Sequence, residues 1–270
     1  GRIFIQLVHG GRQCFPSLLG GAMPIAPSEV YESLLKVTPR AMSGDEAWML
    51  VEAFGQAARR AVEAGFDGVQ IHGAHGYLVN QFLSPYTNRR DDYWGGDEQR
   101  RFNFLKEVYG AIRKAAPPSF PVLIKLNARD FDTPKGLDLP ESLRIAKRLE
   151  ALGIDGIEVS GGIYESDIKA AKENILTKAD EAYFRDAAAA FKAELKVPVI
   201  AVGGFRSRSV IESTLQTGMA DLVSMSRPLI REPDLPNKFA AGKDSADCIS
   251  CNGCMRFMKL DVVRCAQLKV

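Results

Sequence analysis

The stretch GFDGVQIHGAHGYL, residues 65–78, decides the fold, because it contains a helix stop followed at once by a short apolar strand. Upstream of it, Ser43-Gly44-Asp45-Glu46 forms a capping box, and apolar residues then recur at helical spacing from Ala47 to Val62. Gly65 ends this predicted helix, and Gly68–Ile71 is predicted to be a buried strand. A helix followed by a strand is therefore the unit to look for in the rest of the chain.

The same unit recurs on both sides of this stretch. Further short apolar strands are predicted at Ile3–Val8, Pro121–Leu126, Gly156–Val159, Val197–Val202 and Asp221–Met225, and helical periodicity fills the intervals between them. Parallel strands need crossover connections and are buried on both faces, so strands that alternate with helices in this way indicate a parallel sheet covered by helices. The predicted fold class is α/β.

The position of polar residues favours a barrel over an open, doubly wound sheet. An open sheet concentrates its site at one switch point, whereas a barrel places chemistry at the C-terminal ends of many strands. At the C-terminal end of nearly every predicted strand there is a polar residue or a glycine: His9, His72, Lys125, Ser160, Gly203 and Ser226. We therefore expect a TIM (β/α)8 barrel with strands 3 to 8 present and the first two strands missing from this chain. Residues 1–242 would form this partial barrel, and residues 243–270 a cysteine-rich segment.

Composition excludes several classes of function. Hydrophobic residues make up 46% of the chain and charged residues 25%, which is typical of a globular protein with a substantial core. A net charge of +2 argues against a nucleic-acid partner. No apolar run approaches the roughly 18 residues that span a bilayer, and the first residues lack the regions of a signal peptide. We therefore expect a cytoplasmic protein without a membrane segment.

The three histidines of the chain lie just past the C-terminal ends of two consecutive predicted strands: His9, His72 and His75. Two imidazoles that converge on one point can donate hydrogen bonds to a substrate oxygen as negative charge develops on it. Tyr77 is close enough in sequence to act as a weak proton donor. Alternatively, the histidines only cap strand ends, or His72 and His75 bind a metal, although no Asp or Glu lies close behind them to complete a usual site.

Four cysteines near the end of the chain predict a metal site in a reducing compartment. Cys248, Cys251 and Cys254 follow one another at two-residue spacings, and Cys265 comes after ten further residues. A structural zinc is one possible occupant. Consecutive two-residue spacings fit a [4Fe–4S] cluster better than the paired knuckles of zinc sites.

A candidate phosphate site follows the last two predicted strands. Gly203 and Gly204 would let backbone N–H groups approach a phosphate, while Arg227, after Ser226, would add a charged fork. Ordinary turns also contain glycines, and the pattern alone does not say which phosphate-bearing ligand would bind.

Residues 65–78, continued by Asn80–Pro85 and Asn88–Gly96, resemble the Old Yellow Enzyme family of NADH:flavin oxidoreductases. The resemblance implies that His72 and His75 bind the carbonyl oxygen of an α,β-unsaturated substrate and that Tyr77 protonates its α-carbon.

The same resemblance implies FMN as the cofactor. Gln6 would meet the pyrimidine ring of the flavin, and Lys125 would face flavin N1, where the family more often has Arg. Arg90 and Asp92 match family positions that look structural.

The cysteine segment resembles a subgroup of this family that includes 2,4-dienoyl-CoA reductase and trimethylamine dehydrogenase. That resemblance implies a cluster that exchanges single electrons with FMN, and a downstream FAD- or nucleotide-binding domain or an electron-transfer partner.

We therefore expect an FMN enzyme that uses NADH or NADPH to reduce the activated C=C bond of an unsaturated carbonyl compound or enoyl thioester. We also expect it to be a homo-oligomer. The alternatives are an amine dehydrogenase, a non-flavin phosphate-binding barrel enzyme such as an isomerase or aldolase, and a non-enzymatic electron-transfer module.

Overall fold

The computed structural model describes residues 1–132, 135–255 and 262–268. It consists of two compact units. The first unit comprises Gly1–Lys169 and Leu195–Val197, and the second comprises Ala170–Glu194 and Pro198–Val270.

The first unit is built on a parallel sheet. Its strands along the chain are β1 (Phe4–Leu7), β2 (Ile25–Ala26), β3 (Arg40–Ala41), β4 (Gly68–Gly73), β5 (Val122–Asn127) and β6 (Gly156–Ser160). β1, β4, β5 and β6 are neighbours in that order, all parallel, and β2 pairs with β3 in a separate short ladder. The register aligns Gln6 with Gln70, and Lys125 with both His72 and Glu158.

Helices connect the strands of the first unit: α1 (Gly44–Glu63), α2 (Leu78–Leu83), α3 (Glu98–Ala115) and α4 (Leu139–Leu152). The predicted capping box at the start of α1 is confirmed: the Glu46 backbone N–H donates to Ser43 Oγ at 3.1 Å, and the Ser43 N–H donates to the Glu46 carboxylate at 2.7 Å. α2 was not predicted, because all six of its residues are buried and it therefore shows no amphipathic periodicity.

The second unit contains the parallel pair β7 (Val199–Ala201) and β8 (Leu222–Val223). Its helices are α5 (Arg185–Glu194), α6 (Arg208–Gln216), α7 (Arg227–Arg231) and α8 (Leu235–Ala240). α7 and α8 were also not predicted, since each is under two turns long and begins with a proline in its first turn.

All six predicted strands of the alternating pattern are present, and the expected α/β class with a parallel sheet is confirmed. One detail differs: β4 continues to Gly73, so His72 lies within the strand and not beyond its end. Within the described ranges, no helix combines the length and the apolar character needed to cross a membrane.

Candidate active site

His72, His75 and Tyr77 come together at the C-terminal end of β4. The two imidazole centroids lie 5.1 Å apart with nearly perpendicular rings, and the Tyr77 ring centroid lies 4.8 Å from that of His72. The structure thus brings together the three side chains that the sequence predicted as catalytic, in one part of the first unit.

The turn that follows β4 places His75. His75 and Gly76 both have left-handed backbone conformations, with φ of 61° and 77°. For a residue with a Cβ this conformation costs roughly 1–2 kcal/mol, so surrounding contacts must hold it. The His75 N–H donates to Asn127 Oδ1 at 3.1 Å, and the Gly76 N–H donates to Asn80 Oδ1 at 2.7 Å. Two amide side chains therefore stabilise the strained turn.

A buried carboxylate orients these two amides. Asn80 Nδ2 and Asn127 Nδ2 both donate to Asp130 Oδ1, at 3.1 and 2.9 Å, and the Leu137 N–H donates to Oδ2 at 3.0 Å. Asp130 has no solvent exposure, and its burial raises its pKa, an effect that these hydrogen bonds oppose. Because Oδ1 accepts from the NH₂ groups of both amides, both amide oxygens face the His75–Gly76 turn. Sequence reasoning missed Asp130, Asn127 and Asn80.

Both imidazoles of the pair are neutral near pH 7. Burial, with a smaller effect of the Lys125 cation, lowers the pKa of His72 to about 4. Burial likewise lowers the pKa of His75 well below its usual value. His72 Nδ1 accepts the Ala74 N–H at 3.4 Å, which leaves its proton on Nε2, and His75 Nε2 shares a hydrogen bond of 2.7 Å with Ser160 Oγ. The Nε2–H of His72 is thus available to a substrate oxygen, and His75 offers a second donor, Nδ1–H, in the tautomer in which Ser160 donates its hydroxyl proton to Nε2.

Tyr77 is held in its protonated form. Burial and a hydrogen bond with the Tyr164 side chain raise the pKa of Tyr77 above its usual value. The loop that carries Tyr164 is anchored by an ion pair of 2.5 Å between Arg12 and the adjacent Glu165, with the Arg12 side chain fully buried. Tyr164 was missed from the sequence, because a tyrosine in a loop carries no signal that it meets another 87 positions away.

Four side chains form what we term the polar layer: Gln6 on β1, Gln70 on β4, Lys125 on β5 and Glu158 on β6. Gln6 Nε2 donates to Gln70 Oε1 at 2.6 Å, and Gln70 Nε2 donates to Glu158 Oε2 at 2.8 Å. Glu158 Oε1 in turn pairs with Lys125 Nζ at 3.0 Å. The two residues predicted to face a flavin are therefore joined by two that were not. A signal for Glu158 did exist, since it is the one charged residue in an otherwise apolar strand.

The predicted phosphate residues lie in the second unit. Gly203 and Gly204 have φ of 127° and 74°, and a Cβ on Gly204 would come within 2.8 Å of the Tyr183 ring. Ser226 precedes α7 without a side-chain capping bond. Arg227 Nη1 donates to the Lys172 carbonyl at 2.6 Å and to Asn252 Oδ1 at 2.5 Å. The predicted phosphate ligand Arg227 is thus also bound to the cysteine segment.

Cys248, Cys251, Cys254 and Cys265 line one cavity of about 240 Å³. Arg227 and Arg231 also line this cavity. In the part of the chain that the structure describes, none of the four forms a disulfide bond. Arg231 Nη1 lies 3.7 Å from Cys265 Sγ, and Gln267 Nε2 lies 3.5 Å from Cys251 Sγ. Burial and the neighbouring Cys248 raise the pKa of Cys254. In the part of the chain that the structure describes, no group of three or more Cys, His, Asp or Glu residues is placed to hold a metal ion.

Comparison with known proteins shows what this chain is similar to. Residues 1–245 match the family described as NADH:flavin oxidoreductase / NADH oxidase. The chain is 38% identical over 257 residues to an NADH oxidase of Thermoanaerobacter brockii, a match that covers 94% of this chain and 39% of that protein. It is 38% identical over 232 residues to an NADPH dehydrogenase of Clostridium acetobutylicum, covering 86% of this chain and 65% of that protein.

Among solved structures, a 2-naphthoyl-CoA reductase in complex with 2-naphthoyl-CoA superimposes with a TM-score of 0.84 at 29% identity. This match covers 93% of the chain and 40% of that protein. The chain therefore spans less than half the length of the NADH oxidase and of the 2-naphthoyl-CoA reductase, and about two thirds of the NADPH dehydrogenase.

Proposed function

The chain belongs to the NADH:flavin oxidoreductase / NADH oxidase family, and on that premise we propose that it reduces the activated C=C bond of an unsaturated carbonyl compound or enoyl thioester, with electrons from NADH or NADPH. It is a flavin-dependent oxidoreductase. The proposal for its substrate is carried by one observation: two neutral imidazoles and a protonated phenol meet at the end of β4.

The three side chains have complementary roles in this reaction. When bound, FMN supplies the hydride that reaches the β-carbon of the substrate. His72 and His75 donate hydrogen bonds to the carbonyl oxygen, which gains negative charge as the hydride arrives. Tyr77 gives its proton to the α-carbon, so that one hydride and one proton together saturate the double bond. A carbonyl oxygen suits paired donors, whereas a quaternary or tertiary amine would call for an aromatic cage.

The polar layer fits the ring system of FMN, since it offers the Gln6 amide and the mostly buried Lys125 cation. We propose the second unit's Gly203, Gly204, Ser226 and Arg227 as the residues that bind the phosphate. Among the residues that the structure describes, the side-chain hydrogen bonds of Arg227 use Nη1, and we propose that Nε and Nη2 form a fork toward an anion.

We further propose that the whole protein contains an eight-stranded barrel whose first two strands are absent from this chain. β1 pairs with β4 on one side, and apolar side chains in β1 or next to it are exposed: Ile3 at 66%, Phe4 at 38% and Val8 at 52%. Natural proteins pair or protect such apolar strand edges. The partial coverage of the relatives supports the same proposal.

Half-reactions distinguish the proposed function from its alternatives. In the full-length protein we expect visible flavin absorbance that NADH or NADPH bleaches under anaerobic conditions and that an enone or enoyl thioester restores. An amine dehydrogenase would show the opposite direction of transfer, because trimethylamine would bleach the oxidised flavin. Stopped-flow absorbance measures both. Bleaching by the amine together with no recovery by any enone, or a colourless protein, would refute the proposal.

We also propose that Cys248, Cys251, Cys254 and Cys265, within the segment 243–270, hold a [4Fe–4S] cluster, which supplies one-electron transfer when bound. The support is that all four line one cavity. A single zinc ion requires its ligands to converge on one point, whereas a [4Fe–4S] cube takes one thiolate at each of four separate irons. Arg231 and Gln267 approach two of the sulfurs, and such outer donors tune cluster potentials.

Metal content tests the cluster. Anaerobically purified full-length protein should contain iron and acid-labile sulfide, about four of each per chain. Cys251→Ser should lose most of both, because one corner of the cube loses its thiolate. Cys14→Ser is the matched control, since Cys14 is the one cysteine outside the cavity, and it should keep the wild-type content. One zinc per chain without iron would contradict the proposal.

We propose NADH or NADPH as the source of the electrons. Because the chain spans 39% of the NADH oxidase, we propose that NADH or NADPH delivers electrons either directly or through an FAD- or nucleotide-binding domain or partner protein. A cytoplasmic location and a homo-oligomeric state stay predictions from the sequence.

A further inference from the structure

We infer that Glu158, which is not among the predicted flavin residues, is a positioning residue that fixes both the hydrogen-bonding face and the net charge that the polar layer presents to FMN. The inference rests on the proposed function. It follows from the order of donors and acceptors along Gln6, Gln70, Glu158 and Lys125.

A carboxylate at the end of a chain of amides sets the direction of every hydrogen bond in it. An amide side chain presents either its oxygen or its NH₂ group to a neighbour, whereas an ionised carboxylate only accepts. Glu158 therefore requires the NH₂ group of Gln70, at 2.8 Å, and this turns the Gln70 oxygen toward β1. Gln6 must then donate its own NH₂ group to that oxygen, at 2.6 Å. The orientation of the Gln6 amide is thus decided two strands away.

The same carboxylate changes the charge of the layer. Lys125 Nζ lies 3.0 Å from Glu158 Oε1, and the two side chains are only 17% and 5% exposed. At this burial, solvent screens the pair poorly, so the negative charge of Glu158 offsets much of the Lys125 cation. Without Glu158, the cation would stabilise an anionic reduced flavin more strongly.

A purely structural role explains Glu158 poorly. β6 is buried along its length, and apart from Ser160 at its end the neighbours of Glu158 are Gly156, Ile157 and Val159, so an apolar residue would also suit this position. A buried ion pair is often neutral or destabilising relative to apolar residues of similar volume. The layer therefore contributes orientation and charge more than stability.

Glu158→Gln tests the effect of the negative charge at position 158, because it removes this charge with little change in the size of the side chain. The variant keeps the shape of the side chain and can still accept from Gln70, so we expect FMN affinity to stay within roughly 3-fold of the wild type. The two-electron potential of the bound FMN should become more positive, by about 30 mV, which corresponds to a ~10-fold change in the ratio of oxidised to reduced flavin. Glu141→Gln is the matched control, because it neutralises another buried ion pair, with Arg101 at 2.6 Å, that lies between helices α3 and α4. The two-electron potential of FMN bound to Glu141→Gln should equal that of FMN bound to the wild type.

Gln70→Met tests the orientation separately, and it remains informative if Glu158→Gln does not fold. It breaks the link to Gln6 but leaves the Lys125–Glu158 pair, so FMN affinity should fall ~10-fold with a much smaller change in potential. Gln56→Met, at an exposed position on α1, should change neither.

Redox titration and FMN binding to the full-length protein distinguish the outcomes. The inference is overturned if the potential of Glu158→Gln is unchanged or more negative, or if Gln70→Met binds FMN as the wild type does. A wild-type protein that binds no flavin would overturn the proposed function and this inference together.

Discussion

Tyr77→Phe in the full-length enzyme is expected to slow the reoxidation of reduced flavin by an enone ~10²- to 10⁴-fold, which is the contribution of a positioned general acid. Reduction of the flavin by NADH or NADPH should keep its wild-type rate. The two half-reactions separate because only the oxidative one consumes the phenolic proton, and the variant removes only the Tyr77 hydroxyl and its hydrogen bond with Tyr164.

The environment of Tyr77 makes this expectation specific. Its raised pKa keeps the hydroxyl protonated through neutral pH and beyond the usual range of tyrosine. A weak acid suffices here, because the substrate carbon that receives the proton is strongly basic once the hydride has arrived. The rate of the oxidative half-reaction should therefore stay flat between about pH 6 and 9.

Tyr164→Phe is the matched control, because it removes the hydrogen-bonding partner of Tyr77 and leaves the Tyr77 hydroxyl in place. We expect a far smaller effect on reoxidation than that of Tyr77→Phe. Stopped-flow traces of flavin bleaching and recovery measure both variants. Wild-type reoxidation of Tyr77→Phe, or a defect in flavin reduction instead, would mean that Tyr77 is not the acid.

Asp130→Leu should lower the free energy of unfolding by about 3–5 kcal/mol, since three or more buried donors lose their acceptor at roughly 1–3 kcal/mol each. The donors include Asn80, Asn127 and the Leu137 N–H, around a carboxylate with no solvent exposure. The substitution also releases the amides that hold the His75–Gly76 turn, so binding of phenolic or carbonyl ligands should weaken in whatever protein remains folded.

Asp91→Leu is the control for this loss of stability. Asp91 also pairs with a cation, Arg100 at 3.1 Å, but its side chain is 89% exposed, so we expect a change within about 0.5 kcal/mol. Urea denaturation of both variants gives the comparison. If Asp130→Leu unfolds at the same urea concentration as Asp91→Leu, the buried network does not support the fold.

The sequence by itself determined the elements that depend on near neighbours. Strand runs, helical spacing and the Ser43 capping box involve residues a few positions apart, so their pattern is visible along the chain. His72, His75 and Tyr77 were predicted to meet for the same reason, since they lie within six positions of one another. The short helices α2, α7 and α8 were not predicted. α2 is buried on all sides, and α7 and α8 are under two turns long, so none of them shows a helical period in the sequence.

Only the tertiary structure decided which distant side chains control these local groups. Gln70 meets Glu158 across 88 positions, and Asn80 meets Asp130 across 50. A polar residue in an apolar segment signals that a partner exists, because an unpaired buried polar group is costly, but it does not say which residue the partner is. That choice depends on which strands become neighbours and in what register, and it is fixed only when the sheet has formed.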